Sequence, residues 1–221
     1  MKLLLNALIK FAIGFLMLGV LLFLPAGTLA FSGGWLLLGL LFVPMLALGA
    51  VLFFRAKDLL RKRLDSKEKE STQKGVVAMS GLIFLGGFVL AGLDFRFSLS
   101  HVPTVAVIVA SVLFLVGYAL YAEVMRENAY LSRTVKVEEN QKVIDTGLYG
   151  IVRHPMYFAT VLMFLSIPVI LGSWWALLVF SVYPFVIVVR IRNEEAVLKR
   201  ELAGYTEYQS KVKYRLIPLI W

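Results

Sequence analysis

Four runs of about twenty apolar residues, each bounded by charge or by turn residues, constrain this chain more than any other feature, because a hydrocarbon core about 30 Å thick takes about 20 helical residues to cross. They run from Leu3 to Leu24, Gly34 to Phe54, Val76 to Leu93 and Val102 to Ala122. A fifth apolar stretch, Met156 to Val189, is too long for one untilted crossing and is interrupted by Pro168, Gly172 and Ser173, so it reads as a hairpin of two helices. The predicted fold is an all-α integral membrane protein: a multi-pass bundle of about six transmembrane helices, the last two forming the hairpin. Composition agrees, since 60% of residues are apolar and 17% charged, against about 45–50% and about 25% in soluble domains. Lys2 ahead of an apolar run resembles a secretory signal, but the run outlasts a typical h-region and no small-x-small site precedes a soluble mature domain, so Met1 to Leu24 reads as the first membrane helix.

Lysine and arginine orient these spans. Residues 55–74 hold eight of them, residues 123–157 five and residues 190–221 seven, whereas the connections at 25–33 and 98–101 hold none. Basic loops face the cytoplasm, and six crossings put all three basic segments and both termini on that side, whereas five would not. The chain divides accordingly into residues 1–122, four membrane helices with the basic loop 55–74, and residues 123–221, where the polar residues around the hairpin gather. Within the basic loop, Leu59, Leu60 and Leu64 among charges fit either a short interfacial helix or a solvated linker. Gly14 with Gly19, and Gly87 with Ala91, suit close helix packing in lipid. Asp94 and Arg96 lie near a helix end, where charged side chains can snorkel.

The absence of cysteine excludes disulfides, thiolate metal sites and cysteine nucleophiles, and two histidines leave little for a metal cluster. A net charge of +9 in a chain this apolar points to anionic lipid rather than nucleic acid as partner. Neither a P-loop nor a GxGxxG after a strand is present, which removes the soluble nucleotide-binding folds.

Candidate chemistry sits in two pieces flanking the hairpin, QKVIDTGLYGIVRHPMY (141–157) and RIRNEEAVLKRELAGYTEYQSKVKYRLIPLIW (190–221). Pro155 can open a helix, and residue 154, preceding it, is driven out of helical conformation. His154 therefore stands at a helix N-terminus at the membrane surface, where the helix dipole favours an anionic group such as a carboxylate. Arg190 and Glu194, four apart on the second arm, share a helix face. Alone they would be a surface ion pair worth a few tenths of a kcal/mol. The hairpin, however, returns them toward His154 and Tyr157, and a polar cluster at a membrane boundary is a candidate site. Glu195, Lys199 and Glu201 carry no such argument and are expected to be solvated.

At these residues, GLYGIVRHPMY followed by RIRNEE and GYTEYQSKVKYRLIP, the sequence resembles the isoprenylcysteine carboxyl methyltransferase family and its bacterial and archaeal relatives. The resemblance covers Gln141 to Trp221. It implies an enzyme that uses S-adenosylmethionine to O-methylate the carboxylate of an isoprenylcysteine-like lipophilic acceptor entering from the bilayer, with no metal. Carried over position by position, it implies cofactor contacts from Gln141, Lys142, Val143, Ile144, Tyr149, His154, Pro155, Met156, Tyr157 and Glu194. Arg190 would face the acceptor, with Arg153 as a further catalytic candidate. Lys142 is an awkward member of this set, since it places a positive charge near a cationic cofactor.

Three other classes stay open. Phospholipid or other amine-lipid N-methyltransferases share RHPxY-like strings, and an amine acceptor must lose a proton, for which His154 or a glutamate could serve. Sterol-type reductases using NADPH also carry the motif, but there it runs on to glycine and glutamate, whereas Phe158, Ala159 and Thr160 follow here. A non-enzymatic membrane protein is the third.

Overall fold

The computed structural model describes residues 2–65, 71–132, 137 and 140–221. Among these the chain is helical: α1 (Lys2–Ala26), α2 (Ser32–Arg55), α3 (Lys57–Leu64), α4 (Ser71–Phe97), α5 (Thr104–Glu127), α6 (Pro155–Ile170), α7 (Trp174–Phe180), α8 (Tyr183–Glu201) and α9 (Tyr205–Lys211), with a 3₁₀ turn at Gly147–Gly150. Five helices are long and apolar enough to cross a membrane: α1, α2, α4, α5 and the nearly continuous α7 and α8. The last two together make a 28-residue arm, Trp174–Glu201. Paired with it across a turn at Leu171 to Ser173 is α6, of 16 residues. At 1.5 Å per residue α6 is about 24 Å long, short of a 30 Å core, so the hairpin has one short and one long arm.

The interior is aromatic. Phe84 meets Phe164, Phe180 and Tyr183 at ring separations of 4.8, 5.5 and 5.7 Å, joining α4, α6, α7 and α8. Small residues let the backbones approach, though not all at the expected places. A Cβ on Gly87 would overlap the Phe180 ring, and one on Gly92 would stand 2.7 Å from the Leu22 carbonyl oxygen of α1. Gly19, by contrast, has nothing within 4 Å, and Gly14 only the edge of Phe42 at 3.9 Å, so neither marks a tight crossing.

One boundary feature differs from expectation, and a second decides between two readings left open. Asp94 does not snorkel: it is 2% exposed, accepting from the Ser100 amide at 2.7 Å, the Ser100 hydroxyl at 2.6 Å and the Ser173 hydroxyl. It thereby ties the end of α4 to the start of α7, a polar clasp in which each buried group has a partner. The basic loop is helical at both ends, since α3 occupies 57–64 and α4 starts at Ser71; residues 66–70 lie outside the described residues. Leu59 and Leu60 pack on Leu52 and Met125, while Arg61, Lys62 and Arg63 fill the last turn, where cations suit the helix dipole.

Candidate active site

The RHPMY segment folds as its proline requires. His154 is non-helical (φ −127°, ψ 59°) and Pro155 opens α6. The C-terminal tail then crosses it: the Arg153 and His154 amides donate to the carbonyls of Tyr214 and Arg215 at 2.9 and 2.8 Å.

Beneath this crossing lies Glu195, 4% exposed, which corrects the expectation that it is solvated. One of its oxygens accepts from Arg153 Nε at 2.7 Å and the other from Arg215 Nε at 2.8 Å, and His154 Nε2 lies 3.4 Å from the first. Arg153 Nη1 also donates to the carbonyls of Val212 and Lys213, at 2.7 and 2.9 Å. Helix periodicity gave no warning of this, because the groups that bury Glu195 come from the RHPMY segment and from the tail folding back over α8. Lys199 and Glu201 are exposed, as expected.

Glu194 lies about 100° further round α8 and has different surroundings. The Tyr157 hydroxyl donates to its carboxylate and accepts from Arg190 Nε at 2.7 Å, while the Arg190 guanidinium lies 5.7 Å from the centre of the Tyr157 ring. The α4 residue Gln73, fully buried, donates to the Arg190 carbonyl at 3.2 Å and to Asn193 Oδ1 at 2.6 Å, bracing this turn of α8.

These groups face a cleft open to solvent. Every residue that the resemblance implied lines it: the stretch Gln141 to Ile144, Tyr149, Arg153 through Tyr157, and Arg190 with Glu194 on α8. Lys142 is exposed, while Tyr149, His154 and Tyr157 are buried. Tyr149 receives a hydrogen bond from Asn128 at 3.0 Å, and burial pushes its phenol up to about 12.

Residues 105–203, from α5 through the end of α8, match the family model for phospholipid methyltransferase. That match covers less than half of the chain. The fold of the chain is similar to that of the eukaryotic intramembrane Ras methyltransferase, isoprenylcysteine carboxyl methyltransferase, with 16% identity and a TM-score of 0.50 over 98% of this chain and 85% of that one. No curated protein sequence matches significantly.

The matched segment contains most of the cleft but not all of it. Tyr205 and Tyr208 of α9 lie beyond residue 203 and also line the wall, as do Asn128, Tyr130, Leu131 and Ser132 within it. Sequence reading missed these. The loop after α5 had no motif to flag it, although Glu127 accepts from the Leu148 amide at 3.0 Å and so pins the 3₁₀ turn. Gly147 was legible only as a turn residue. Its positive φ of 54°, and the Glu127 carboxylate lying where a Cβ would point, show why no other residue suits it. The tyrosine-rich tail was a visible signal, and its aromatic spacing could have placed Tyr205 and Tyr208 in the wall.

Proposed function

We propose that this membrane protein of the phospholipid methyltransferase family transfers a methyl group from S-adenosylmethionine to the carboxylate of a lipophilic, isoprenylcysteine-like acceptor. The observation that carries this reading is the chain Arg190–Tyr157–Glu194, which sets a cation and an anion side by side in the cleft through one shared hydroxyl. The donor set fits the cofactor: a carboxylate for its ammonium, buried aromatic rings for its base and its cationic sulfur, and no thiol or metal ligand set required. When bound, S-adenosylmethionine supplies the electrophilic methyl.

This chain's residues would do the rest by alignment, which is the main demand of a one-step displacement. Glu194 would hold the cofactor's charged end. Arg190, fixed by Tyr157, would orient the acceptor carboxylate, which with a pKa of about 3.5 is already ionised and needs no base. Arg153 and His154, committed to Glu195 and the tail, would act as positioning residues that hold the RHPMY turn against the cleft. We place the cleft and both termini on the cytoplasmic side, with α6 as the short sixth crossing, on the strength of the basic loops.

A second reading is N-methylation of an amine lipid. The description of the matching family favours it, and Glu194, reached by the Tyr157 hydroxyl, is a carboxylate to which an amine proton could pass. The two separate chemically. Purified protein incubated with methyl-labelled S-adenosylmethionine and either a prenylated cysteine or phosphatidylethanolamine should label the prenylated cysteine, and alkali should release that label as methanol. Alkali-stable label found only in phosphatidylethanolamine would establish the second reading instead.

A further inference from the structure

The cleft runs along α8 from the charged pair Arg190 and Glu194 to the tyrosines of α9, with α8 as its ruler. Arg190 and Glu194 stand at the charged end, and Leu198 and Leu202 follow on the same face at intervals of four residues. From Glu194 to Leu202 is about 12 Å along a helix, and there α9 closes the wall with Tyr205 and Tyr208. Val143 packs against this end.

The two tyrosines differ in one respect. Tyr208 donates its hydroxyl to the Tyr149 carbonyl at 2.7 Å. Tyr205 is 4% exposed, and its hydroxyl has no hydrogen-bond partner among the described residues. An aromatic ring could be buried here without a hydroxyl, as in phenylalanine, so an unpaired O–H is a cost that nothing among the described residues offsets. Burial, with Glu195 and Glu194 nearby, raises its pKa, which keeps it a neutral donor at any physiological pH.

We infer that Tyr205 is a binding residue whose hydroxyl donates to a ring-nitrogen acceptor of the cofactor's purine, at the end of the cleft opposite Glu194. This rests on the methyl-transfer reading and deepens it, since neither the resemblance nor the family segment, which ends at residue 203, reaches this position as a ligand. The polarity of the cleft supports the orientation: a ligand with a charged amino-acid end and an uncharged aromatic base, lying along α8 with its charge at Glu194, brings its base to Leu202 and Tyr205.

The test compares wild type with Tyr205→Phe as full-length protein in detergent, reading calorimetric affinity for S-adenosylhomocysteine and thermal unfolding without ligand. The expected result is an affinity about 2- to 10-fold weaker in the variant, the size of one net hydrogen bond, with ligand-free unfolding at the wild-type temperature or above it. Among analogues with a single purine ring nitrogen replaced by CH, one should weaken wild type by a similar factor and Tyr205→Phe no further. Equal affinity of both proteins would overturn the Tyr205 assignment alone. So would a variant that unfolds at lower temperature and shows no such analogue, because the hydroxyl would then be structural. If wild type does not bind S-adenosylhomocysteine, the methyl-transfer reading itself fails.

Discussion

Glu194 and Glu195 are consecutive on α8 and point into opposite worlds: Glu195 is buried among Arg153, Arg215 and His154, whereas Glu194 faces the cleft and takes the Tyr157 hydroxyl. One is committed to holding the tail in place. The other is left where a ligand can reach it.

Their substitutions should therefore separate stability from binding. Glu195→Gln leaves two guanidinium groups facing a neutral amide, and breaking one side of a buried ion cluster costs about 3–5 kcal/mol. Thermal unfolding of Glu195→Gln should drop sharply, with the tail becoming accessible to protease. Glu194→Gln should unfold near the wild-type temperature yet bind S-adenosylhomocysteine at least tenfold more weakly, as expected for loss of a charge-assisted contact. Equal stability of the two variants would show that the cluster does not hold the tail.

Arg190 gives the second prediction, on acceptor chemistry. Arg190→Ala should leave cofactor affinity nearly intact while slowing transfer at least tenfold, and Arg190→Lys should remain severely impaired because lysine lacks the planar fork that matches a carboxylate. With an acceptor already ionised, the rate between pH 6 and 9 should be flat. An Arg190→Lys variant near wild type, with a rate climbing steeply over that range as an amine deprotonates, would instead mark N-methylation.

Tyr149 makes stability depend on alkaline pH. Its folded pKa is raised from the ordinary 10 to about 12, so the contribution of the neutral phenol is complete below pH 10 and is lost as pH rises through 12. The advantage of wild type over Tyr149→Phe in thermal unfolding should hold up to pH 10 and shrink between 10 and 12. An unchanged difference across that window would show the phenol to be more solvated than its burial indicates.

The topology can be read directly, because the chain has no cysteine of its own. Single cysteines at Lys62 and Lys213 should react with a membrane-impermeant maleimide only from the cytoplasmic side, and one at Ser98 only from the other. Labelling of Lys213→Cys and Ser98→Cys from the same side would remove the sixth crossing.

The membrane helices were legible because the bilayer imposes a length and a polarity that act residue by residue, with no partner needed: Leu3 to Leu24 must be a helix whatever lies beside it. The hairpin break at Gly172 and the non-helical His154 were legible for the same reason, since glycine and proline act on their own backbone. The local chemistry of RHPMY and RIRNEE was visible too, and its residues do converge on one cleft. What no local rule could supply is which side of each helix meets the returning tail. Glu194 and Glu195 are the same residue type in the same turn, and only the meeting of the RHPMY segment and the returning tail on α8 decides that one is enclosed by Arg153 and Arg215 while the other stays at the cleft. Gly19 and Gly92 make the same point in lipid: both are small residues in apolar helices, but only Gly92 lies where another backbone passes. Burial and charge pairing arise from contacts between segments far apart in the chain, so they belong to the tertiary structure, whereas helix formation in a membrane belongs to the segment alone.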